Sequence, residues 1–565
     1  MKLWNCYDNC MHEELKAAIS AAAKKLFGAD IEPELTRPEE KFGDFSTNVA
    51  MQLAAQVHKK PAEIAAALVE AIDSPLLDGK PTVAEPGFIN FRLNDEALTK
   101  LMTARPAQKL KDQEVVAEYS DPNPFKVLHV GHLYTSVVGD SIAKLLEAVG
   151  ANVHRVNFGG DVGLHVAKAL YTVIQKLGGE NAEELAEVEP DQRAQWLAER
   201  YVEGNDLYKK DEAAKAEIKT LNEKIYGLHE QKDKTSPLAQ IYWTTRQWSY
   251  DYFDQFYKKI GSGFEKYYPE STTVESGLKA VKDNVGKVFE ESDGAIVFKG
   301  EVHNMHTRVF INSQGLPTYE TKDVGLILKK WQDYHFDRSI VITDNEIYEY
   351  MQVVLKAVEQ FEPELVEKTT HITHGIVKLS SGIRMSSRLG NIIKAEDVLD
   401  AVSEANKKAN RVANFAVTLG AVKYAFLKQR IGADILFDPA ESVSLEGNSG
   451  PYLQYAFVRA NSILQKADGR QKTVDSSFQF DEQERSLVRK IGEFAEVVEA
   501  AADELLPSHI CTYLYELAQV FNRFYENNRV IGDVREATRL ELVRTYANVL
   551  KDGLGLLNIT APEKM

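Results

Sequence analysis

Val115-Val116-Ala117-Glu118-Tyr119, followed ten residues on by His129-Val130-Gly131-His132, is the stretch whose reading decides the fold. The first five residues are an apolar run of strand length. Ser120-Asp121-Pro122-Asn123-Pro124 is rich in turn formers. Past the histidines, Leu133, Val137, Val138, Ile142, Leu145, Leu146 and Val149 recur at helical spacing until Gly150 stops them. Ala151 to Phe158 then reads as a second strand. The pattern predicts a β-α-β unit with two histidines at the N-terminus of its helix, where the dipole attracts anions. Gly131 has no side chain, so a flat ring such as adenine can lie against its backbone. Either imidazole can donate to a phosphoryl oxygen as negative charge grows there. The short histidine string is a weak signal alone; in this context it marks a candidate nucleotide site.

At 565 residues the chain has room for three or four domains, each with its own core. Its 44% hydrophobic and 27% charged residues are those of a globular protein. Without an apolar run of 18 residues no membrane span is expected, and the N-terminus lacks a targeting pattern, so the cytoplasm is the expected compartment. Three cysteines, Cys6, Cys10 and Cys511, cannot build a disulfide framework. Cys6 and Cys10 with His12 have no evident fourth ligand, which favours two reduced thiols over a metal site. The net charge of −17 excludes indiscriminate coating of nucleic acid but leaves room for a local basic patch. Lys407, Lys408, Arg411, Lys423, Lys428 and Arg430 against Glu404 form such a candidate, and a solvated helix face is the equal alternative.

Residues 1–108 read as a separate α/β module. Residues 109–400 continue the strand–helix alternation of a Rossmann-like, doubly wound parallel sheet. A charged, Ala-rich, helical stretch at about 179–259 interrupts it as an insertion. Residues 401–565 are almost all amphipathic helix, which predicts an α-helical bundle.

Far downstream stands Arg384-Met385-Ser386-Ser387-Arg388-Leu389-Gly390-Asn391, after Ser380-Ser381-Gly382. Two arginines, several hydroxyls and flanking glycines suit a polyphosphate, although a polar surface turn has the same composition. The histidine motif and this loop together resemble the HIGH and KMSKS elements of class I aminoacyl-tRNA synthetases. Glu118-Tyr119-Ser120-Asp121-Pro122-Asn123-Pro124-Phe125-Lys126, Val156-Asn157-Phe158-Gly159-Gly160-Asp161-Val162-Gly163 and Pro317-Thr318-Tyr319-Glu320-Thr321-Lys322-Asp323 narrow the resemblance to the arginyl-tRNA synthetase family. So do Gly450-Pro451-Tyr452-Leu453-Gln454-Tyr455-Ala456 and the terminal Ala561-Pro562-Glu563-Lys564-Met565. The resemblance runs in order along essentially the whole chain.

It implies a two-step reaction. The arginine carboxylate attacks the α-phosphorus of ATP, carried with Mg²⁺ on its phosphates, to give arginyl-adenylate and pyrophosphate; the terminal ribose of the tRNA then takes the arginyl group. By resemblance His129 and His132 stabilise the transition state, Gly131 admits adenine, and Arg384, Met385, Ser386, Ser387 and Arg388 hold the phosphates. Ser387 stands where class I enzymes usually carry a second lysine, and Lys126, just before the histidine motif, is the candidate for the missing cation. Arginine is a permanently charged planar fork that calls for carboxylates. Glu118 and Asp323 are implied to supply them, with Tyr319 along the guanidinium, and Asn123, His129 and Glu346 completing the amino-acid site. A buried carboxylate lacking a cation is costly, which favours substrate contact for these acids. Asp121 stands where a serine is common, Glu346 where a glutamine is common, and Tyr134 where an arginine is frequent.

For tRNA, the resemblance implies an anticodon-binding bundle with Tyr452, Tyr455 and Met565 as contacts. The N-terminal module would meet the outer corner of the tRNA through Phe42, Phe45 and Asn48. It also implies a monomer without a resident metal, and amino-acid activation that waits for tRNA. Two alternatives remain at this point: a class I synthetase for another amino acid, and a catalytically silent relative that binds tRNA or a protein.

Overall fold

The computed structural model describes residues 8–380, 393–409, 414–467 and 479–565. They divide into two compact units. One comprises Leu110–Pro451 with Leu557–Ile559, the other Met1–Lys109 with Tyr452–Leu556 and Thr560–Met565.

The first unit is built on the expected β-α-β core. Strand β1 (Glu114–Glu118) leads through the turn to helix α1 (Val130–Ala148) and strand β2 (Asn152–Gly159). Strands β3 (Lys266–Pro269), β4 (Arg338–Asp344) and β5 (Thr369–His374) complete a five-stranded sheet of order β5-β4-β1-β2-β3. Every pairing is parallel, with Val341 opposite Glu118 and Glu118 opposite Val156. Strand β1 is central and covered on both faces, which is why Val115, Val116 and Ala117 form a continuous apolar run with no alternation. Helix α1 packs directly on the chain beyond β1. A Cβ on Gly139 would lie 2.2 Å from the buried Tyr119 ring, so only glycine permits this approach.

Helix α2 (Leu164–Lys176) follows β2, and the insertion is helical as expected: α3 (Arg193–Lys210), α4 (Glu212–Glu230) and α5 (Pro237–Ile260). Leu197, Ile218, Ile225 and Trp248 close over Val166, Leu170 and Val173 of α2 in one apolar cluster. A small antiparallel sheet of Glu290–Ser292, Ala295–Phe298 and Arg308–Ile311 precedes helix α6 (Tyr319–Tyr334), which leads toward β4.

The structure differs from the expected boundary at residue 400. Helix Ala395–Lys408 is amphipathic, whereas Phe415–Leu427 is apolar nearly all round and mostly buried; both lie in the compact unit of the parallel sheet. Strand Ile435–Phe437 pairs in parallel with Val377–Leu379, and Phe426 packs on Tyr134 of α1. Lys423, read as part of a basic patch, is buried; its ammonium donates to Ile260 O and Asn558 O, both at 2.7 Å. Lys407, Lys408 and Arg430 are exposed, and Arg411 lies outside the described residues.

In the second unit, helix Asp8–Phe27, an antiparallel sheet (Phe45–Thr47, Phe88–Phe91, Thr82–Ala84) and three further helices make the N-terminal α/β module. The terminal segments, read separately in the sequence, belong to one compact body. Arg485 of helix Glu482–Ile491 donates to Asp44 (2.5 Å) and to Leu93 O (3.0 Å), and Arg37 pairs with Glu496 at 2.6 Å. Among the described residues no helix is long and apolar enough to cross a membrane.

Candidate active site

A cleft of about 550 Å³ opens at the C-terminal ends of the parallel strands, the usual ligand position in such sheets. Each strand end delivers part of its wall. Strand β1 and its turn supply Glu118, Asp121 and Asn123. The start of α1 supplies His129, Gly131, His132 and Thr135. Gly160 follows β2, Glu270 follows β3, Asp344 ends β4 with Glu346 in the turn after it, and His374 ends β5.

The histidine motif caps its own helix. Nδ1 of His129 accepts the Gly131 N–H, and Nδ1 of His132 accepts the His129 N–H, both at 3.1 Å. With both Nδ1 atoms accepting, each neutral ring carries its proton on Nε2, which leaves two N–H donors. Burial keeps the rings neutral: His129 is lowered to about 4, and His132 falls well below its ordinary value through burial and the neighbouring His129. Their ring centroids are 3.7 Å apart.

Backbone pairing ties this motif to a distant segment. Val130 donates to Ile393 O (2.9 Å) and Ala395 to Leu128 O (3.0 Å). Arg384, Met385, Ser386, Ser387 and Arg388 fall outside the described residues, and Ile393 follows them in the chain. Lys126 does not line the cleft; its ammonium sits 4.6 Å from the Tyr201 ring centroid on α3, and burial lowers its pKa.

The opposite wall is acidic. Glu118 and Lys330 form a buried pair at 2.5 Å, with Lys330 also donating to Ser339 Oγ at 3.1 Å. This corrects the expectation that Glu118 lacks a cation. Glu270 is likewise paired with Lys322 in the interior. Asp323 has no such partner among the described residues. It accepts the Tyr350 hydroxyl, and burial together with the Glu118 and Glu270 charges pushes it up to about 8. Asp121 accepts the Phe158 N–H at 2.8 Å and is raised well above the carboxylate range by burial and by Glu118.

Asn123 is held by accepting the Gly160 N–H at 2.8 Å. A Cβ on Gly160 would stand 2.4 Å from that Asn123 Oδ1 and 3.1 Å from Glu270 Oε1, so the close approach requires glycine. Tyr319 is 53% exposed on the cleft wall, its hydroxyl 3.4 Å from His165 Nδ1 and its ring under the Lys322 ammonium. Glu346 is exposed at the rim. Tyr134 is buried behind the motif, edge-on to His374 at 4.5 Å.

His374 escaped the sequence reading. Its Nε2 lies 2.6 Å from the Thr135 hydroxyl and its Nδ1 2.9 Å from Gly375 O, beside the histidine motif. A histidine ending a strand of a parallel sheet was the available signal.

In the other unit, Tyr455 is 40% exposed with the Arg459 guanidinium 5.6 Å from its ring centroid, and Met565 and Phe42 are also exposed. Tyr452 is half-buried and accepts from Asn522 Nδ2 at 2.8 Å. Asn48 is half-buried. Phe45 departs from the expectation of a tRNA contact: it is 3% exposed, held between the Arg37 guanidinium and His12. All three residues of its short strand are buried, and the ring lies in the core. No group of three or more His, Cys, Asp or Glu side chains among the described residues is arranged to hold a metal.

Residues 96–438 match the family model described as the catalytic domain of class I (R) tRNA synthetases. The chain belongs to the arginyl-tRNA synthetases. Residues 13–93 match the arginyl-tRNA synthetase N-terminal domain, and 453–565 match the DALR anticodon-binding domain. The two later matches are split between 438 and 453, in keeping with the structural boundary at Pro451. An arginine–tRNA ligase of Bacteroides thetaiotaomicron is 27% identical over 98% of this chain and 100% of its own length. One of Borrelia garinii subsp. bavariensis is 31% identical over 81% of this chain and 80% of its own length. The solved arginyl-tRNA synthetase of Thermus thermophilus superposes with a TM-score of 0.78 at 25% identity, covering 98% of this chain and 100% of that one. That of Plasmodium falciparum shares the fold, with a TM-score of 0.76 at 20% identity over 98% of this chain and 99% of that one.

Proposed function

We propose that this arginyl-tRNA synthetase family member ligates L-arginine to its tRNA through an arginyl-adenylate, releasing pyrophosphate and then AMP. The observation that carries the reading is a single cleft with two imidazole N–H donors on one wall and on another a carboxyl, Asp323, that has no ion-pair partner among the described residues.

ATP enters as its Mg²⁺ complex with its α-phosphate at the N-terminus of α1. Asn123 positions the backbone of the amino acid, and Tyr319 packs along its side chain. Asp323 accepts from the guanidinium, whose arrival supplies the cation that lets this carboxyl ionise. Glu118, neutralised by Lys330, shapes the same wall, and Glu346 stands at the rim. The arginine carboxylate then displaces pyrophosphate at the α-phosphorus. Nε2–H of His129 and of His132 donate to the oxygens where charge accumulates; loss of one such donor typically costs about 10²–10³ in rate. In the second step the tRNA ribose hydroxyl attacks the arginyl carbonyl and AMP leaves. Lys126 and the Arg384–Arg388 loop are the proposed cations for the leaving phosphates. Tyr452, Tyr455, Met565, Phe42 and Asn48 are the proposed tRNA contacts.

The test is ATP–pyrophosphate exchange across the amino acids, with and without purified tRNA. Exchange with arginine when tRNA is present supports the reading. Exchange with another amino acid makes the chain a synthetase of different specificity, and none under either condition makes it a silent relative.

A further inference from the structure

His374 is buried at the end of β5, lines the cleft, and has no part in the function proposed above. In the register of the parallel sheet it stands opposite Asp344 of β4. Three close contacts fix where its protons lie. Nδ1 is 2.9 Å from Gly375 O, which can only accept, so Nδ1 carries a hydrogen. Nε2 is 2.6 Å from Thr135 Oγ1, and the same hydroxyl is 2.8 Å from Gly131 O.

That hydroxyl has one proton for two acceptors. With a neutral ring, Thr135 donates to the bare Nε2, and Gly131 O keeps its partner within the helix. With a protonated ring, Nε2–H donates to Thr135 Oγ1, and the hydroxyl proton turns to Gly131 O. Both arrangements satisfy these groups on the same heavy-atom positions, so the ring can gain a charge without repacking. Burial lowers its pKa below the ordinary histidine value, against the opposing effects of the Gly375 carbonyl and the Asp344 charge. The other ionisable groups that meet the ring among the described residues are His129 and Tyr134 of α1, and burial keeps both neutral. Asp434, on the segment packed against Gly375, is turned to Lys378 and the Ile376 N–H. Asp344 alone does not overcome burial; a triphosphate brought to the start of α1 adds further negative charge on the same side of the cleft.

We propose that His374 is a positioning residue that takes up a proton when ATP binds. The proton passes from solvent to Nε2; the imidazolium turns the Thr135 hydroxyl toward Gly131, against which the adenine lies, and its charge attracts the phosphates. The inference rests on the nucleotide half of the function proposed above.

The test is calorimetric titration of the full chain with the Mg²⁺ complex of adenosine 5′-(β,γ-imido)triphosphate, without arginine, in buffers of different ionisation heat. Near the ordinary histidine pKa of about 6.5, wild type is expected to bind about 0.5 to 1 proton more than His374→Asn, which cannot titrate. Because binding takes up a proton, affinity falls as pH rises, and by linkage it falls about 3- to 10-fold more per pH unit in wild type than in the variant. Protons taken by the ligand or by the other histidines are common to both proteins and cancel in the comparison. Equal proton numbers overturn the proposal, even where the variant binds more weakly, and leave His374 a packing residue. Thermal melting checks the fold; where His374→Asn melts early, Thr135→Val, which removes the acceptor for the imidazolium, decides by the same criterion. Wild type that fails to bind the analogue refutes the nucleotide reading itself, whereas binding with equal proton numbers refutes the role of His374 alone.

Discussion

Replacing Lys330 by methionine removes a buried ammonium while filling most of its volume. Lys330 and Glu118 side chains are 1% and 3% exposed, so Glu118 is left as a carboxylate with neither water nor cation. Breaking such a pair typically costs about 3–5 kcal/mol. An independent bound comes from protonation: neutralising a glutamate of ordinary pKa about 4.3 at pH 7 costs about 3.7 kcal/mol, and no more than that need be lost to the bare charge. The two figures agree on a loss of about 3–4 kcal/mol at pH 7. The second also fixes a pH signature, because the same protonation costs only about 1 kcal/mol at pH 5. Denaturant unfolding at both pH values, each against wild type, is the assay. Lys330→Met is expected to be strongly destabilised at pH 7 and nearly recovered at pH 5. The double variant Glu118→Gln/Lys330→Met, which buries no charge, is expected within about 1–1.5 kcal/mol of wild type at both. A loss below about 1 kcal/mol at pH 7, or one equally large at pH 5, would refute the buried pair.

Gly160→Ala drives a methyl group into Asn123 Oδ1, and is expected to lower kcat/KM for arginine about 10- to 100-fold through misplacement, with far less effect on KM for ATP. Equal losses for both substrates in steady-state kinetics would argue against Asn123 as the amino-acid anchor. Asp323, pushed up to about 8, must lose its proton to receive a guanidinium. Arginine affinity is therefore expected to rise with pH up to about 8 and then level off, with proton release on binding seen by calorimetry in buffers of different ionisation heat. Asp323→Asn should flatten that rise, and an unchanged profile would remove the residue from the titration. The same raised carboxyl contributes to folding stability at low pH, and that contribution declines as pH climbs from its unfolded value toward 8. Phe42→Ala should leave stability within about 0.5 kcal/mol while raising KM for tRNA, whereas Phe45→Ala should cost about 3–5 kcal/mol in unfolding experiments.

Much of the sheet was legible because local pattern and long-range packing agree there. The apolar run before Tyr119, the turn formers and the helical spacing after His132 each specify an element without help from elsewhere. The histidines were legible for the same reason, since a helix start is a local feature. Partners supplied by remote chain segments were not. Lys330 lies on a helix 212 residues from Glu118, so no spacing rule announces that the acid is already paired. Helix Ala395–Lys408 is amphipathic whichever body it covers, and its sequence pattern does not say that the body is the parallel-sheet unit. Phe42 and Phe45 look equivalent in the sequence; Phe42 ends an exposed helical turn, whereas Phe45 opens a buried strand and lies under Arg37.

The most direct test is a crystal structure with arginine and a non-hydrolysable ATP analogue bound together. The account predicts the guanidinium within hydrogen-bonding distance of Asp323, and the arginine carboxylate facing an α-phosphate that lies against His129 and His132. Arginine seated away from Asp323, or the two ligands in separate cavities, would contradict it.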